Sequence, residues 1–195
     1  MRHMQRTGRL GHYLMRLGNG RGFTLTELLI VLAIIGTLTA VVLPSFFSML
    51  PGIYLKGAVQ QLYSDLQRAK IEAIKRNANT MMVFTAVDCA NIALGTPSPN
   101  GSYTVFIDDG GGDAAKAKNK VQDAGEVTLL TTTMPRHVAL CSNDSGITFT
   151  GNKVGFTPRG LPVGKNIGKV TLKNTRESKY TLSISMAGSI RTARL

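Results

Sequence analysis

Tryptophan is absent from this 195-residue chain, and phenylalanine and tyrosine together supply only 6% of it. A core built from such a sequence is mostly aliphatic, and base stacking on aromatic side chains is poorly supplied. Histidine is scarce too: His3, His12 and His137 are the full set. No cysteine pair has C-x-x-C spacing, and no GxxxxGK[ST] phosphate loop occurs. No catalytic constellation emerges, so no enzymatic residue and no cofactor is expected. Acidic residues are missing where they would matter most. The first 22 residues hold Arg2, Arg6, Arg9, Arg16 and Arg21 with no acid, and Ser145–Leu195 holds nine basic residues against the single acid Glu177. Between these ends, Thr80–Asp144 is mildly acidic, and the whole chain carries a formal +12. A basic final quarter suits a solvated face, an acidic neighbour or a polyanion.

What the sequence does have is one long apolar run. Residues 22–44 read GFTLTELLIVLAIIGTLTAVVLP, and Leu28–Leu43 gives sixteen residues without a charge. With the preceding residues from Phe23 it is long enough, at about 1.5 Å per helical residue, to cross a hydrocarbon core of about 30 Å. All five early arginines lie before it, and the next basic residue is Lys56. The positive-inside rule then puts residues 1–22 in the cytoplasm and the bulk of the chain across the membrane.

Glu27 is the anomaly, because a lone carboxylate beside a membrane-length apolar run needs a partner. A secretory signal would carry its small-residue cleavage site after the run, and Thr37–Ala40 imitates one poorly. The conspicuous glycine is Gly22, before the run. A cut between Gly22 and Phe23 removes every leader arginine, keeps the apolar helix and creates an α-amino group at Phe23. Glu27 then stands one helical turn from that terminus, and the new cation of a neighbouring copy can pair with it. Export also favours pairing of the two cysteines, Cys89 and Cys141, in a disulfide.

Gly22-Phe23-Thr24-Leu25-Thr26-Glu27, followed by the apolar run and Pro44, resembles the signal of type IV pilins and pseudopilins. The resemblance implies a prepilin peptidase that cuts after Gly22 and N-methylates Phe23. It also implies that Glu27 guides assembly with other pilins, and that Pro44 kinks the helix. The organisation it suggests is a leader over 1–22, a transmembrane or filament-core helix over 23–44, and a globular part over 45–195.

Beyond Pro44, the residues Leu55, Val59, Leu62, Leu66, Ala69 and Ala73 draw one apolar stripe at helical spacing. Lys56, Gln60, Asp65, Arg68, Glu72 and Arg76 fall off it, and Glu72 and Arg76 form an i,i+4 pair in the favourable order. Asn77 and Asn79 mark the exit, while Pro44, Pro51 and Gly52 are places for a bend or break. Eight short β-type runs follow: Thr80–Val87, Ser102–Ile107, Glu126–Thr132, His137–Cys141, Ile147–Thr150, Val154–Thr157, Lys169–Lys173 and Tyr180–Met186. The expected class is α+β, a long helix packed on antiparallel sheet rather than a two-stranded coiled coil.

Within that family, Gln61–Asn77, the Gly101–Asp109 stretch and Gly188-Ser189-Ile190-Arg191 resemble the GspH/FimT branch. Tyr103 stands where the branch carries tryptophan, and Ser189 where it carries arginine. The resemblance implies a minor pilin or pseudopilin, a structural subunit of a type II secretion pseudopilus or a type IV pilus. Some members of the FimT branch bind DNA through a basic C-terminal strand. DNA uptake is therefore the alternative, with Lys169, Lys173, Arg191 and Arg194 as its candidates, since phosphate contacts need only clustered cations. Asp108, Asp109 and Asp113, around three glycines, are weak calcium candidates; a polar loop is the simpler expectation. Asn143-Asp144-Ser145 matches a glycosylation sequon of a kind that arises often by chance.

Overall fold

The computed structural model describes residues 22–89, 100–142, 146–165 and 167–195, with residue 165 described by its backbone alone. The leader arginines, the sequon at 143–145 and part of the turn before Asn100 lie outside the described residues. Two compact units divide the chain, one ending at Ser45 and one running from Phe46 to Leu195.

A single helix, α1 (Leu25–Arg76), contributes to both units. Helical hydrogen bonding is assigned through Pro44, Pro51 and Gly52, so neither proline breaks it. Its start is capped: the Glu27 N–H donates to Thr24 Oγ1 at 3.2 Å, the geometry of an N-cap threonine. Glu27 itself sits in the first turn, where a carboxylate suits the helix dipole. Its end is an αL exit, with Asn77 at φ 51 and Ala78 N–H donating to Ala73 O at 3.3 Å.

In the first unit the apolar side chains of α1 are exposed to the surroundings, Leu28 to Leu43 throughout. The hydroxyls of Thr37 and Thr39 donate back to Ile34 O and Ile35 O, at 2.9 and 2.7 Å. Both polar groups are therefore satisfied inside the helix, as an apolar surrounding demands.

In the second unit all six stripe residues, Leu55 to Ala73, are buried. They meet two four-stranded sheets. The first has order β3-β2-β1-β5, with β1 (Asn79–Thr85), β2 (Ser102–Asp108), β3 (Thr128–Thr133) and β5 (Lys153–Phe156). The second has order β4-β6-β7-β8, with β4 (Val138–Leu140), β6 (Gly168–Asn174), β7 (Lys179–Ile184) and β8 (Ile190–Arg194). Every named strand pair is antiparallel. Leu62 and Leu66 share one core with Phe84, Tyr103 and Phe156 of the first sheet and with Val170, Leu172 and Leu182 of the second. Truncating either leucine to alanine in such a core costs about 2–5 kcal/mol.

The predicted strand at Ile147–Thr150 does not form. Ile147 makes an isolated bridge to Val170, and the chain then turns through Gly151 and Asn152, at φ 67 and 53. The strand β8 closes the second sheet instead. Between the sheets, Val87 bridges Cys141 in parallel, and Cys89 and Cys141 form a disulfide with Cα atoms 5.3 Å apart.

Two glycines explain how helix and sheets interlock. Gly160, in the loop after β5, has φ 71, and a side chain there would meet Lys70 Cε at 2.9 Å. Gly188, in the β7–β8 turn, also has φ 71, and a Cβ there would strike the Gly160 carbonyl oxygen. Lys70 Nζ donates to Gly188 O at 2.9 Å. The loop of one sheet, the turn of the other and α1 thus meet at a point where only glycine fits.

Candidate functional site

The N-terminal segment presents its features outward. Gly22 and Phe23 precede the helix and are exposed, Phe23 at 81%. A Cβ built on Gly22 meets nothing within 4 Å, and its φ is not in the left-handed region. Among the described residues, nothing requires glycine at that position. The Glu27 carboxylate is exposed on the first turn of α1, one turn from Phe23. The capping threonine Thr24, three residues before Glu27, escaped the sequence reading, although T-x-x-E ahead of an apolar run is its recognisable signal.

The basic cluster does not hold together as expected. Register pairs Lys169 with Ser183 and Ser183 with Arg191, which puts Lys169 and Arg191 in one row on the face of the second sheet away from α1. Lys173 shares that face but is buried. The segment around Cys89 and Ala139 packs there, Lys173 Nζ donates to Cys89 O at 3.5 Å, and Glu177 Oε2 pairs with it at 2.6 Å. Arg194 lies opposite Tyr180 on the face turned toward α1. Alternation along β8 sends Arg191 and Arg194 to opposite sides. Of the four candidates, half-buried Lys169 and exposed Arg191 share a row.

The aspartates of the acidic loop do not converge either. Asp108 is buried and accepts the N–H groups of Asn119 and Lys120 at 3.1 and 3.0 Å. Burial pushes its carboxyl above the usual range, and these backbone donors oppose the push. Asp109 accepts from Gly111 N–H and Asp113 from Ala115 N–H, each closing its own turn. Glu126, also buried, takes the N–H groups of Gly110 and Asp123. The carboxylates staple the loop over 108–126, and no three His, Cys, Asp or Glu side chains gather around one point among the described residues.

Asp65 falls off the apolar stripe in the sequence, yet it is buried. Tyr103 donates its phenol proton to Asp65 Oδ2 at 2.6 Å, and Gln61 Nε2 donates to the same oxygen at 3.0 Å. Desolvation and then this carboxylate push the Tyr103 phenol far above its ordinary value. Tyr103, where the resemblance expects tryptophan, therefore supplies the donor that a buried carboxylate needs.

A family model described as Type II transport protein GspH matches residues 58–188. The chain belongs to the GspH family. A second model, the prokaryotic N-terminal methylation motif, matches residues 18–43. The pilin-like protein PilA1 of Thermus thermophilus is 32% identical over 145 residues, covering 73% of this chain and 79% of that protein. Among solved structures, the type IV minor pilin FimU of Pseudomonas aeruginosa aligns with a TM-score of 0.46 at 17% identity, over 71% of this chain and 92% of that one. The minor pseudopilin EpsH from the type 2 secretion system of Vibrio cholerae aligns with a TM-score of 0.43 at 12% identity, over 72% and 96%. As a GspH-family chain with a methylation motif, the protein is a minor pilin or pseudopilin of a type IV pilus or type II secretion system. Its family implies assembly with other pilins and processing by a peptidase, and its apolar helix fits membrane anchoring.

Proposed function

We propose that this chain is inserted in the bacterial inner membrane through residues 23–43, with its Phe46–Leu195 unit in the periplasm. A prepilin peptidase cuts between Gly22 and Phe23 and methylates the Phe23 amine, and the subunit then enters a pseudopilus or pilus. Glu27 pairs in that filament with the N-terminal cation of a neighbouring subunit. The chain makes no bond itself; its work is mechanical.

The observation that carries this reading is a capped apolar helix with one exposed carboxylate in its first turn, preceded by an exposed glycine with open space around it among the described residues. In this reading the peptidase gives the reason for Gly22, and a neighbouring subunit gives the partner for Glu27. Replacing Glu27 with glutamine tests the second half. The variant should still be cleaved and held in the membrane, but it should fail to crosslink into filaments. Incorporation at the native level would overturn the role given to Glu27.

DNA contact is the second reading, and its support is the row formed by Lys169 and Arg191. Binding of detergent-solubilised chain to duplex DNA across a salt series tests it. A steep fall with salt, lost in Lys169→Gln/Arg191→Gln, supports the receptor reading, since each phosphate neutralised adds about 0.9 to the log–log salt slope. No binding at low salt removes it.

A further inference from the structure

A cleft of about 300 Å³ opens where the first turns of the Phe46–Leu195 unit meet the end of the second sheet. Three cations line it: Lys56 on α1, Arg176 in the β6–β7 turn and Arg194 on β8. All three are exposed, and none forms an ion pair among the described residues. Glu177, the acid beside Arg176, reaches Lys173 instead. Like charges drawn to one cleft repel, and an anion between them would relieve that repulsion. Arginine forks suit phosphate oxygens especially well. The wall beside the cations is apolar and open, with Met49 61% and Ile53 55% exposed.

The position of the cleft along the chain identifies the anion's source. No charged residue lies among the 28 residues between Glu27 and Lys56. Lys56, which lines the cleft, is the first charge to follow the inserted residues 23–43. Phe46 and Phe47, exposed and in edge contact at 6.2 Å between ring centroids, stand where interfacial aromatic residues gather.

We propose that this cleft binds the phosphate headgroup of an anionic phospholipid in the periplasmic leaflet, seating the globular unit on the membrane before the subunit enters a filament. The proposal rests on the membrane-spanning reading above. Arg176 and Arg194 clamp the phosphate, Lys56 adds a third charge, and Met49 and Ile53 lie against the upper acyl chain.

The test uses full-length chain, one copy per nanodisc, in discs mixed from phosphatidylcholine and phosphatidylglycerol. Native mass spectrometry of the released protein counts retained lipid of each kind. The expected result is enrichment of phosphatidylglycerol over the disc composition. The triple variant Lys56→Gln/Arg176→Gln/Arg194→Gln should lose most of it, about fivefold per cation, as ~1 kcal/mol for each charge at an anionic surface implies. Arg176→Lys/Arg194→Lys keeps the charge without the fork and should retain more of it than the triple variant. The leader arginines are common to all variants and cancel in the comparison. Equal enrichment in wild type and triple variant overturns the proposal. So does enrichment only in discs holding two copies, which assigns the cations to a neighbouring subunit. Inorganic phosphate added to pure phosphatidylcholine discs and retained as an adduct by wild type alone assigns the cleft to free phosphate and overturns the lipid source. Hydrogen exchange over residues 28–43 reports insertion separately. Rapid exchange there defeats the membrane reading itself, whereas slow exchange without lipid enrichment defeats only the headgroup assignment.

Discussion

Asp65 and Tyr103 are set by each other, whereas Gly22 and Glu27 are exposed. Glu27 sits in the favourable first turn of α1 with its carboxylate unclaimed by this chain's own core, whereas Asp65 is buried and takes its partners from Tyr103 and Gln61. Replacing Gly22 with valine should leave the fold untouched and block processing, so that intact mass retains the leader; cleavage at the native rate would show that the peptidase does not read this position. Tyr103→Phe leaves the buried Asp65 carboxylate short of its strongest donor and should cost about 1–3 kcal/mol in denaturant unfolding at neutral pH. Burial of the phenol, and then the same bond, set an alkaline limit. The Tyr103 phenol is raised above its ordinary value of 10.0, so the folded state keeps a proton that the unfolded state gives up. Its contribution is complete below pH 10 and shrinks as the pH climbs above that value. Unfolding measured from pH 8 upward should show a decline in wild type that is shallower in Tyr103→Phe.

At the level of elements, the disulfide and the glycine contact fasten the sheets to each other. Cys89 and Cys141 are 52 residues apart. Removing both by alanine should cost about 4 kcal/mol on the loop-entropy account, read as a lower denaturation midpoint. Gly188→Ala forces a left-handed residue and drives a methyl onto the Gly160 carbonyl, so it should cost roughly 1–3 kcal/mol by the same measurement. The helix was legible in the sequence because its buried stripe repeats at helical spacing, and most strands were legible because turn residues bound them. Ile147–Thr150 misled because β-branched residues signal strand while the turn at Gly151 and Asn152 leaves no room to pair. Asp65 misled because periodicity reports the polarity of a position, and its distant partner Tyr103 is on β2. The basic cluster misled because sequence proximity does not settle facing: register separates Arg191 from Arg194, and the cover over β6 buries Lys173.

For the molecule as a whole, charge and apolar surface are divided along the chain in a way that suits a part to be assembled. The cationic residues 1–22 precede a helix whose first half is apolar and exposed. A unit with its own core follows, basic at its far end and stapled by acidic loop contacts in its middle. GspH-family membership and the methylation motif fit this division, and the proposed cleavage at Gly22 is the step that would link its parts, by removing residues 1–22 and giving Glu27 an N-terminal cation to pair with. The most direct measurement is N-terminal and intact-mass analysis of the chain expressed in membranes with an active prepilin peptidase. The account predicts Phe23 as the first residue, carrying a methyl group on its amine. A chain that begins after Ala40, or one that keeps Met1 while the peptidase is active, would contradict it.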